Sequence, residues 1–307
     1  METIKLQDIQ LFLAKKGGDI SPLATLPPLS YFSNQVDSSV DFSIKLDGKI
    51  SQAVDTVIVS DQLFHLMLMN KDRSLQSFAL YSAPGGENIR LHIDESAQVT
   101  FLNEQEYIQK ILDNFESSDS NDTKKEIFRT LTIEEACVLS VLIDLTQASK
   151  EKGKASKSLS AKCISSTTVL KTITGLKKMT VAGFEHVPVT QSISTLLFYL
   201  VYRQSISKVQ IQNALSSLES IGLVTSDEKG WLLSPEFSSH CLDTSKENRI
   251  IALNKGNVVD GLIETEDAYL ILGDVSTLLI KISFDQGNNL EWTYYSSFSL
   301  KTYITNF

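Results

Sequence analysis

Two stretches of the chain show the same order of apolar and polar positions. In the first, an apolar run at residues 77–81 is followed by a turn rich in Gly and Asn at residues 84–88 and by an alternating run at residues 89–93. In the second, an apolar run at residues 278–284 precedes a similar turn and an alternating run at residues 290–294. Gly and Asn tolerate the positive φ of tight turns, and period-two alternation is typical of a half-buried antiparallel strand. The pattern predicts a duplicated β-meander, with two unrelated hairpins as the alternative.

Helical patterns occupy the region between the two meanders. Asn103 with Glu106, and Thr132 with Glu135, have the spacing of a capping box, in which two residues satisfy each other's backbone N–H at the start of a helix. Further helical patterns cover residues 167–176, 191–203 and 208–220. In the last of these helices, Gly222 ends the pattern. The apolar residues of this helix that are predicted to face inward are Val209, Leu215, Leu218 and Ile221.

The order of these elements predicts an α+β fold made of two related halves. Residues 116–125 are polar and lack periodicity, which makes them the best linker candidate and places a boundary near residue 120. The N-terminal α+β half is then residues 1–120 and the C-terminal half residues 121–307. The second half contains a helical region at residues 131–237 and a β-meander at residues 249–307. The predicted architecture has two antiparallel β-meanders and a central helical bundle.

Within that bundle, residues 211–237 resemble the recognition helix and β-wing of winged-helix domains. The segment contains an amphipathic helix, a break at Ile-Gly-Leu-Val, a hairpin turn at residues 227–230 and the return strand Trp-Leu-Leu. The resemblance implies a helix-turn-helix core, and such cores often place a helix in the DNA major groove. A DNA-binding regulator is therefore one hypothesis, although many protein-binding domains use the same fold.

Charge disfavours nucleic acid as the partner. Binding to phosphates needs several Lys or Arg, because neutralising them releases counterions and supplies most of the affinity. The predicted exposed face of the helix offers Lys208 against Glu219, and the formal net charge of −9 repels a polyanion. Residues 150–178 differ, with eight lysines and one acid, Glu151. This segment is interpreted as a solvated basic stretch, with a docking surface for an acidic partner or nucleic acid as the alternative.

Composition and termini predict an ordinary soluble, cytoplasmic protein. The N-terminus lacks a basic start followed by an apolar core and a small-residue cleavage site, and the chain has no run of about 18 apolar residues. Export and membrane insertion are therefore not expected. Cys137, Cys163 and Cys241 are odd in number and far apart, so buried reduced thiols are predicted rather than disulfides.

No pattern in the sequence indicates an active site. His65 and His92 fall in apolar strands and are interpreted as structural, and the adjacent pair His240 and Cys241 is isolated in a surface loop without ligand spacing. The Gly-containing turns have neither of the arrangements that cradle phosphate, and the Gly-x-Ser-x-Gly nucleophile motif is missing. We therefore expect no catalytic residue, no metal and no cofactor, and a binding protein rather than an enzyme.

The start of the chain supports a more specific resemblance. Residues 4–23, IKLQDIQLFLAKKGGDISPL, look like the opening of EspG-type chaperones of type VII secretion: an amphipathic helix, a Gly turn and a Leu/Pro loop. Residues 131–142, LTIEEACVLSVL, look like a repeat of that opening. The resemblance implies a quasi-two-fold α+β architecture. It also implies a cytoplasmic chaperone that covers the helical tip of a secretion substrate and passes it to the export machinery.

Such a function needs an apolar groove or loop with a polar rim. We expect it at residues 70–75 between two strands of the first half, at the equivalent residues 273–277, and on the helix at residues 192–203. For that helix, complete burial is the alternative. The candidate partner-binding residues are Asn70, Lys71, Asp72, Arg73, Leu75, Leu196, Leu197, Phe198 and Tyr199. The expected partner is a helical-hairpin secretion substrate, with the secretion machinery as a second partner.

Overall fold

The computed structural model of the protein describes residues 3–16, 20–24, 48–69, 75–114, 124–155, 163–181, 193–200, 206–241, 249–272, 276–283, 289–297 and Tyr303. In chain order, the elements are β1 (Thr3–Lys5), α1 (Leu6–Lys16), α2 (Gly48–Ile58), β2 (Gln62–Met69), β3 (Leu75–Ser82), β4 (Asn88–Ile93), β5 (Gln98–Leu102), α3 (Glu104–Asn114), β6 (Lys124–Thr132), α4 (Ile133–Ala155), α5 (Ser166–Val181), α6 (Ile193–Leu200), α7 (Lys208–Ser220), β7 (Val224–Asp227), β8 (Gly230–Leu233), α8 (Pro235–Cys241), β9 (Arg249–Val259), β10 (Leu262–Leu272), β11 (Thr277–Ser283) and β12 (Asn289–Ser297). The predicted α+β class is confirmed.

The chain divides into two compact units. Unit 1 contains Met1–Asn121, Arg249–Leu270 and Ser299–Phe307, and unit 2 contains Asp122–Asn248 and Ile271–Phe298. The first division point lies beside the boundary predicted near residue 120. Unit 1 also takes up β9 and most of β10, which the sequence pattern grouped with the C-terminal half.

Unit 1 is a sheet in the order β1-β5-β4-β3-β2-β9-β10, with α1 and α2 packed on one face. The helices contribute apolar side chains at helical spacing, and the strands contribute every second residue, so both sets meet in one core. That core includes Leu6, Ile9, Val54, Val57, Leu63, Tyr81, Leu91 and Ile93. Helix α3 packs near Phe78, whose ring lies edge-on to Tyr107 with centroids 6.1 Å apart.

Unit 2 combines strands β11, β12 and β6, in that order, with five helices and a small hairpin. Strand β12 buries Trp292 and Tyr294, and the ring of Phe237 on α8 meets Tyr294 edge-on at 5.7 Å. In α4, Ala136, Leu139, Leu142 and Ile143 are buried, and Ile133 is half-buried.

Both predicted capping boxes are confirmed. The backbone N–H of Asn103 donates to Glu106 Oε2 at 3.0 Å, and the N–H of Glu106 donates to Asn103 Oδ1 at 2.9 Å. Thr132 and Glu135 make the corresponding pair at 2.8 and 3.2 Å. Each box satisfies donors that the first turn of a helix leaves unpaired, so α3 and α4 begin where the sequence predicts.

The strand pairs of both predicted hairpins are also present. In the first, Ser82 pairs with Asn88, and in the second, Ser283 pairs with Asn289. Residues 284–288, between the paired strands of the second hairpin, lie outside the described residues. The linker prediction needs a correction, because Lys124 and Lys125 belong to β6 and pair with β12. Residues 116–123 lie outside the described residues.

The segment at residues 211–237, for which the sequence suggested a winged-helix resemblance, lies in unit 2 and includes most of α7 and the β7–β8 hairpin. After α4, Ile164 forms a bridge to Trp231, and α5, α7 and the β7–β8 hairpin follow. Helix α7 ends as predicted: Gly222 has φ of 76°, and Leu223 N–H donates to Leu218 O at 3.0 Å.

The predicted inward face of α7 was wrong at Val209, which is 68% exposed. The buried positions are Ile211, Ala214, Leu215 and Leu218, and Ile221 is half-buried. These four buried residues follow the i, i+3, i+4, i+7 spacing of one helix face. Val209 precedes Ile211 by two residues, which is more than half a turn, so it points to the opposite side.

Candidate functional site

Several polar side chains of α7 make hydrogen bonds to other elements of unit 2. Ser166 Oγ on α5 donates to Gln212 Oε1 at 3.3 Å and accepts from Trp231 Nε1 at 3.3 Å. Gln210 completes the capping box with Ser207, and its Nε2 donates to Glu134 Oε1 at 3.5 Å. The side-chain amide of Gln210 therefore links α7 to α4, and that of Gln212 links α7 to Ser166 of α5, which also binds Trp231 of β8.

The wing turn is organised by carboxylates. Asp227 Oδ1 accepts the backbone N–H groups of Lys229 and Gly230 at 2.7 and 3.0 Å. Glu219 Oε1 accepts both the N–H and the hydroxyl of Ser226. Asp227 and Glu219 thus place two carboxylates at the β7–β8 wing, where a DNA-binding domain would contact phosphates. Their negative charge disfavours the binding of a polyanion.

Cys163 lies beside the same wing and is half-buried, so the prediction of burial for this thiol was wrong. Its Sγ donates to Asp227 Oδ2 at 3.0 Å. This hydrogen bond raises the pKa of the Cys163 thiol and lowers the pKa of Asp227. Because the thiolate is the nucleophilic form, the arrangement keeps Cys163 in its unreactive state. Cys137 is buried, as expected.

The two strand histidines are held in the sheet of unit 1. Burial lowers the pKa of His65 to about 4, and its Nε2 lies 2.6 Å from Ser77 Oγ. Burial also lowers the pKa of His92 to about 4, and its Nε2 lies 3.2 Å from Gln76 Oε1. The His92 ring stacks at a tilt on Phe78 with centroids 4.7 Å apart. Both rings are neutral at pH 7 and have packing roles, in line with the structural interpretation.

A small open cavity of about 280 Å³ lies between α2 and β4 in unit 1. Its lining includes Lys49, Gln52 and Glu87, and Thr56 Oγ1 donates to Glu87 Oε2 at 3.0 Å.

His240 and Cys241 lie in the last turn of α8 rather than in a loop. Across the described ranges, no three His, Cys, Asp or Glu side chains converge as a metal site.

Among the described residues of unit 1, exposed apolar side chains cluster at the tip of the β9–β10 hairpin. Val259, Leu262 and Ile263 are 45%, 72% and 47% exposed. The two turn residues between the strands, Asp260 and Gly261, have φ of 50° and 76°, as a tight hairpin turn requires. The partner-binding residues predicted from the sequence do not include this surface, although an Asp-Gly pair flanked by apolar residues is a strong hairpin signal.

The predicted partner-binding residues are only partly within the described structure. Leu75 begins β3, is half-buried and packs against the core of unit 1. Leu197 on α6 is 1% exposed, and the neighbouring Ile193, Ser194 and Thr195 are buried too. For Leu196, Phe198 and Tyr199 the structure describes the helical backbone only. Asn70, Lys71, Asp72 and Arg73 lie outside the described residues, as do 273–275.

Comparisons with known proteins give no match at the level of sequence. No protein-family model matches the chain, and no curated protein matches it. A solved structure of the Mycobacterium tuberculosis type VII secretion system chaperone EspG5, in complex with the PE25-PPE41 dimer, is similar to this chain with a TM-score of 0.44 and 8% identity. The alignment covers 99% of this chain and 93% of that chain. The similarity is structural and weak.

Among the described helices, none combines the length and the apolar composition that a membrane crossing requires.

Proposed function

We propose that this chain is a non-enzymatic, cytoplasmic adaptor or chaperone that binds another protein. The observation that carries the proposal is the exposed apolar tip of the β9–β10 hairpin. Six large apolar side chains are exposed among the described residues, and three of them lie within residues 259–263. Isolated exposed apolar residues are ordinary, whereas a cluster of them is typical of a protein interaction surface.

The partner that we propose is a helical segment of a type VII secretion substrate, held until the export machinery receives it. The sequence resemblance of residues 4–23 and 131–142 to EspG-type chaperones supports this partner. The presence of two α+β units agrees with the architecture that the resemblance implies. An apolar helix face needs an apolar counter-surface with a polar rim, and such binding leaves no need for catalytic groups.

For contact with the helical segment, we propose two separate regions in addition to the hairpin tip: the segment between β2 and β3 in unit 1, and α6 in unit 2. The segment contributes Asn70, Lys71, Asp72, Arg73 and Leu75, and α6 contributes Leu196, Phe198 and Tyr199. Leu197 is buried, so its proposed contribution is to anchor α6 within unit 2. Lys71 and Arg73 are cationic, so we propose that they attract a carboxylate of the substrate.

Co-expression tests the proposal. The chain is produced with a helical-hairpin protein encoded beside it, and the complex is isolated through a tag on the chain and analysed by size-exclusion chromatography. We expect a stable complex with defined stoichiometry. Arg73→Glu should weaken it, whereas Lys208→Glu, which makes the same charge change on α7, should not. A monodisperse chain that retains none of the neighbouring helical-hairpin proteins contradicts the proposal.

A winged-helix regulator that binds DNA is the second candidate function. The arrangement of α5, α7 and the β7–β8 wing favours it. The internal hydrogen bonds of Gln210 and Gln212 and the acids of the wing oppose it. Fluorescence anisotropy with a labelled DNA duplex at two salt concentrations separates the candidates. A regulator binds with a steep salt dependence, and an adaptor leaves the anisotropy unchanged.

A further inference from the structure

The tip of the β9–β10 hairpin presents apolar side chains on both of its faces. A two-residue turn places Val259 opposite Leu262 and Val258 opposite Ile263, and successive pairs point to opposite faces of the ribbon. Val258 is half-buried against the core of unit 1, and the other three side chains are exposed. Each face of the tip therefore carries an accessible aliphatic group.

The tip is held in place by the sheet below it. Strand β9 pairs with β2 as far as Asn257, opposite Gln62. One residue further, the N–H of Val258 donates to Asp61 O at 2.8 Å. A surface that is already ordered loses little conformational entropy on binding.

The acidic residues near the tip favour a partner segment that carries positive charge. Residues 254–267 contain Asp260, Glu264, Glu266 and Asp267 against one cation, Lys255. Asp260 and Glu264 are exposed directly beside the apolar side chains. An apolar partner segment is therefore favoured when it carries Lys or Arg next to its apolar residues. A second copy of this chain would bring the same acidic ribbon and a formal net charge of −9, so like charges would meet.

We infer that the tip of the β9–β10 hairpin is a docking surface for an apolar segment of another protein that carries Lys or Arg beside its apolar side chains. The inference rests on the proposed protein-binding function and deepens it, because it names the chemistry of the segment that the tip binds. Gln62 pairs with Asn257 and Met69 with Ile250, so the tip lies at the Gln62 end of β2 and not at the Met69 end. Seven residues of extended strand separate the two ends by about 23 Å.

Three short labelled peptides test the docking surface by fluorescence anisotropy at physiological salt. One combines Leu with Lys on an amphipathic pattern, the second replaces Lys by Glu, and the third replaces Leu by Ser. We expect the Leu/Lys peptide to bind and the other two to bind at least about tenfold more weakly. In the full chain, the double variant Leu262→Ser, Ile263→Ser should lose about tenfold in affinity for the Leu/Lys peptide.

Two further variants separate docking from general attraction to an acidic protein. Glu264→Lys should shift the preference toward the Leu/Glu peptide, and Val209→Ser, which removes an exposed apolar group from α7, should change nothing. Equal affinity of wild type and tip variant for the Leu/Lys peptide, or no binding up to about 1 mM, overturns the inference. Self-association that the tip variant abolishes also overturns it, because the occupant is then a second copy.

Failure of this inference is distinguishable from failure of the proposed function. If the helical-hairpin partner co-purifies equally well with the tip variant, the docking surface is wrong and the adaptor function stands. If the tip binds the Leu/Lys peptide and no helical-hairpin protein is retained, the docking surface stands and the proposed partner is wrong.

Discussion

Asp144 on α4 accepts two backbone N–H groups at the start of α6, from Ser194 at 2.9 Å and from Ile193 at 3.3 Å. The first N–H groups of a helix have no partner within the helix, and they form its positive end. A carboxylate from a neighbouring helix therefore satisfies them and fixes where α6 begins. The helix that carries Leu196, Phe198 and Tyr199 is positioned in unit 2 by this contact.

Asp144→Ala should lower the free energy of unfolding by roughly 1–2 kcal/mol, as loss of a helix N-cap does. Asp144→Asn keeps an acceptor oxygen and loses the charge, so its effect should be smaller. Urea unfolding followed by far-UV circular dichroism measures both. Glu104→Ala is the control, because Glu104 is exposed and makes an ion pair with Arg90 at the surface. An Asp144→Ala midpoint equal to that of the control would show that α6 needs no cap.

Gly230 and Gly175 predict opposite effects of the same substitution within unit 2. Gly230 has φ of 144°, and an added Cβ would lie 2.6 Å from the carbonyl oxygen of Ile164. Gly230→Ala should therefore destabilise by about 1–3 kcal/mol and disturb the bridge between Ile164 and Trp231. Gly175 lies inside α5 with open space around its Cα, so Gly175→Ala should stabilise by about 0.5–1 kcal/mol.

Thermal unfolding monitored by tryptophan fluorescence compares these two glycine variants with wild type. Opposite shifts of the midpoint are expected. Equal shifts, or a tolerated Gly230→Ala, would mean that the wing does not pack against Ile164 as described.

The buried histidines predict a loss of stability in mild acid. The pKa of His65 is about 4 in the folded protein and 6.5 in the unfolded chain, so the unfolded chain binds the proton first. The free energy of unfolding therefore falls as the pH drops from 6.5 toward 4. For His65 the loss reaches up to about 2 kcal/mol by pH 5. His92 shifts in the same direction.

Urea midpoints at pH 7.5 and pH 5 measure this effect in wild type and in His65→Gln. We expect the variant to show a clearly smaller difference between the two pH values, because Gln keeps a hydrogen-bonding group near Ser77 but does not titrate. The same difference in both proteins would contradict the assignment of the pH dependence to His65.

The Cys163 thiol should react slowly with an alkylating reagent. Its hydrogen bond to Asp227 raises its pKa, so the thiolate fraction at pH 8 is small. In Asp227→Asn the carboxylate charge is gone, and alkylation of Cys163 should become faster. Peptide-level mass spectrometry follows this residue separately from the other two cysteines. An unchanged rate would indicate that Asp227 does not control the thiol.

Local signals in the sequence predicted much of the fold. The capping boxes at Asn103 and Thr132, the end of α7 at Gly222 and the paired hairpins all depend on residues a few positions apart. Strand β6 was missed because its polar start resembles a linker, and it exists through pairing with β12, more than a hundred residues away. Local propensity cannot reveal such a partner. Val209 was misplaced because one exposed valine resembles part of an apolar stripe.

The candidate site was less accessible to sequence reasoning. The apolar residues at 196–199 are compatible with a buried helix and equally with a partner-binding surface. Leu197 is buried, as the first alternative requires. The hairpin tip at residues 258–263 carries a clear turn signal, but its apolar residues resemble core positions. They are exposed because β9 and β10 continue past Asn257, where the pairing of β9 with β2 ends. How far the two strands extend beyond this point depends on the other strands of the sheet, which lie far away in the sequence.

The most direct test of protein binding through an apolar surface is a calorimetric titration. The purified chain is titrated with a candidate helical-hairpin secretion substrate, using wild type, Arg73→Glu, the Leu262→Ser, Ile263→Ser variant and Val209→Ser. We predict saturable one-to-one binding to wild type and Val209→Ser, with weaker binding to the other two. Absence of binding at about 100 μM, together with salt-dependent binding of a DNA duplex, would contradict the adaptor function.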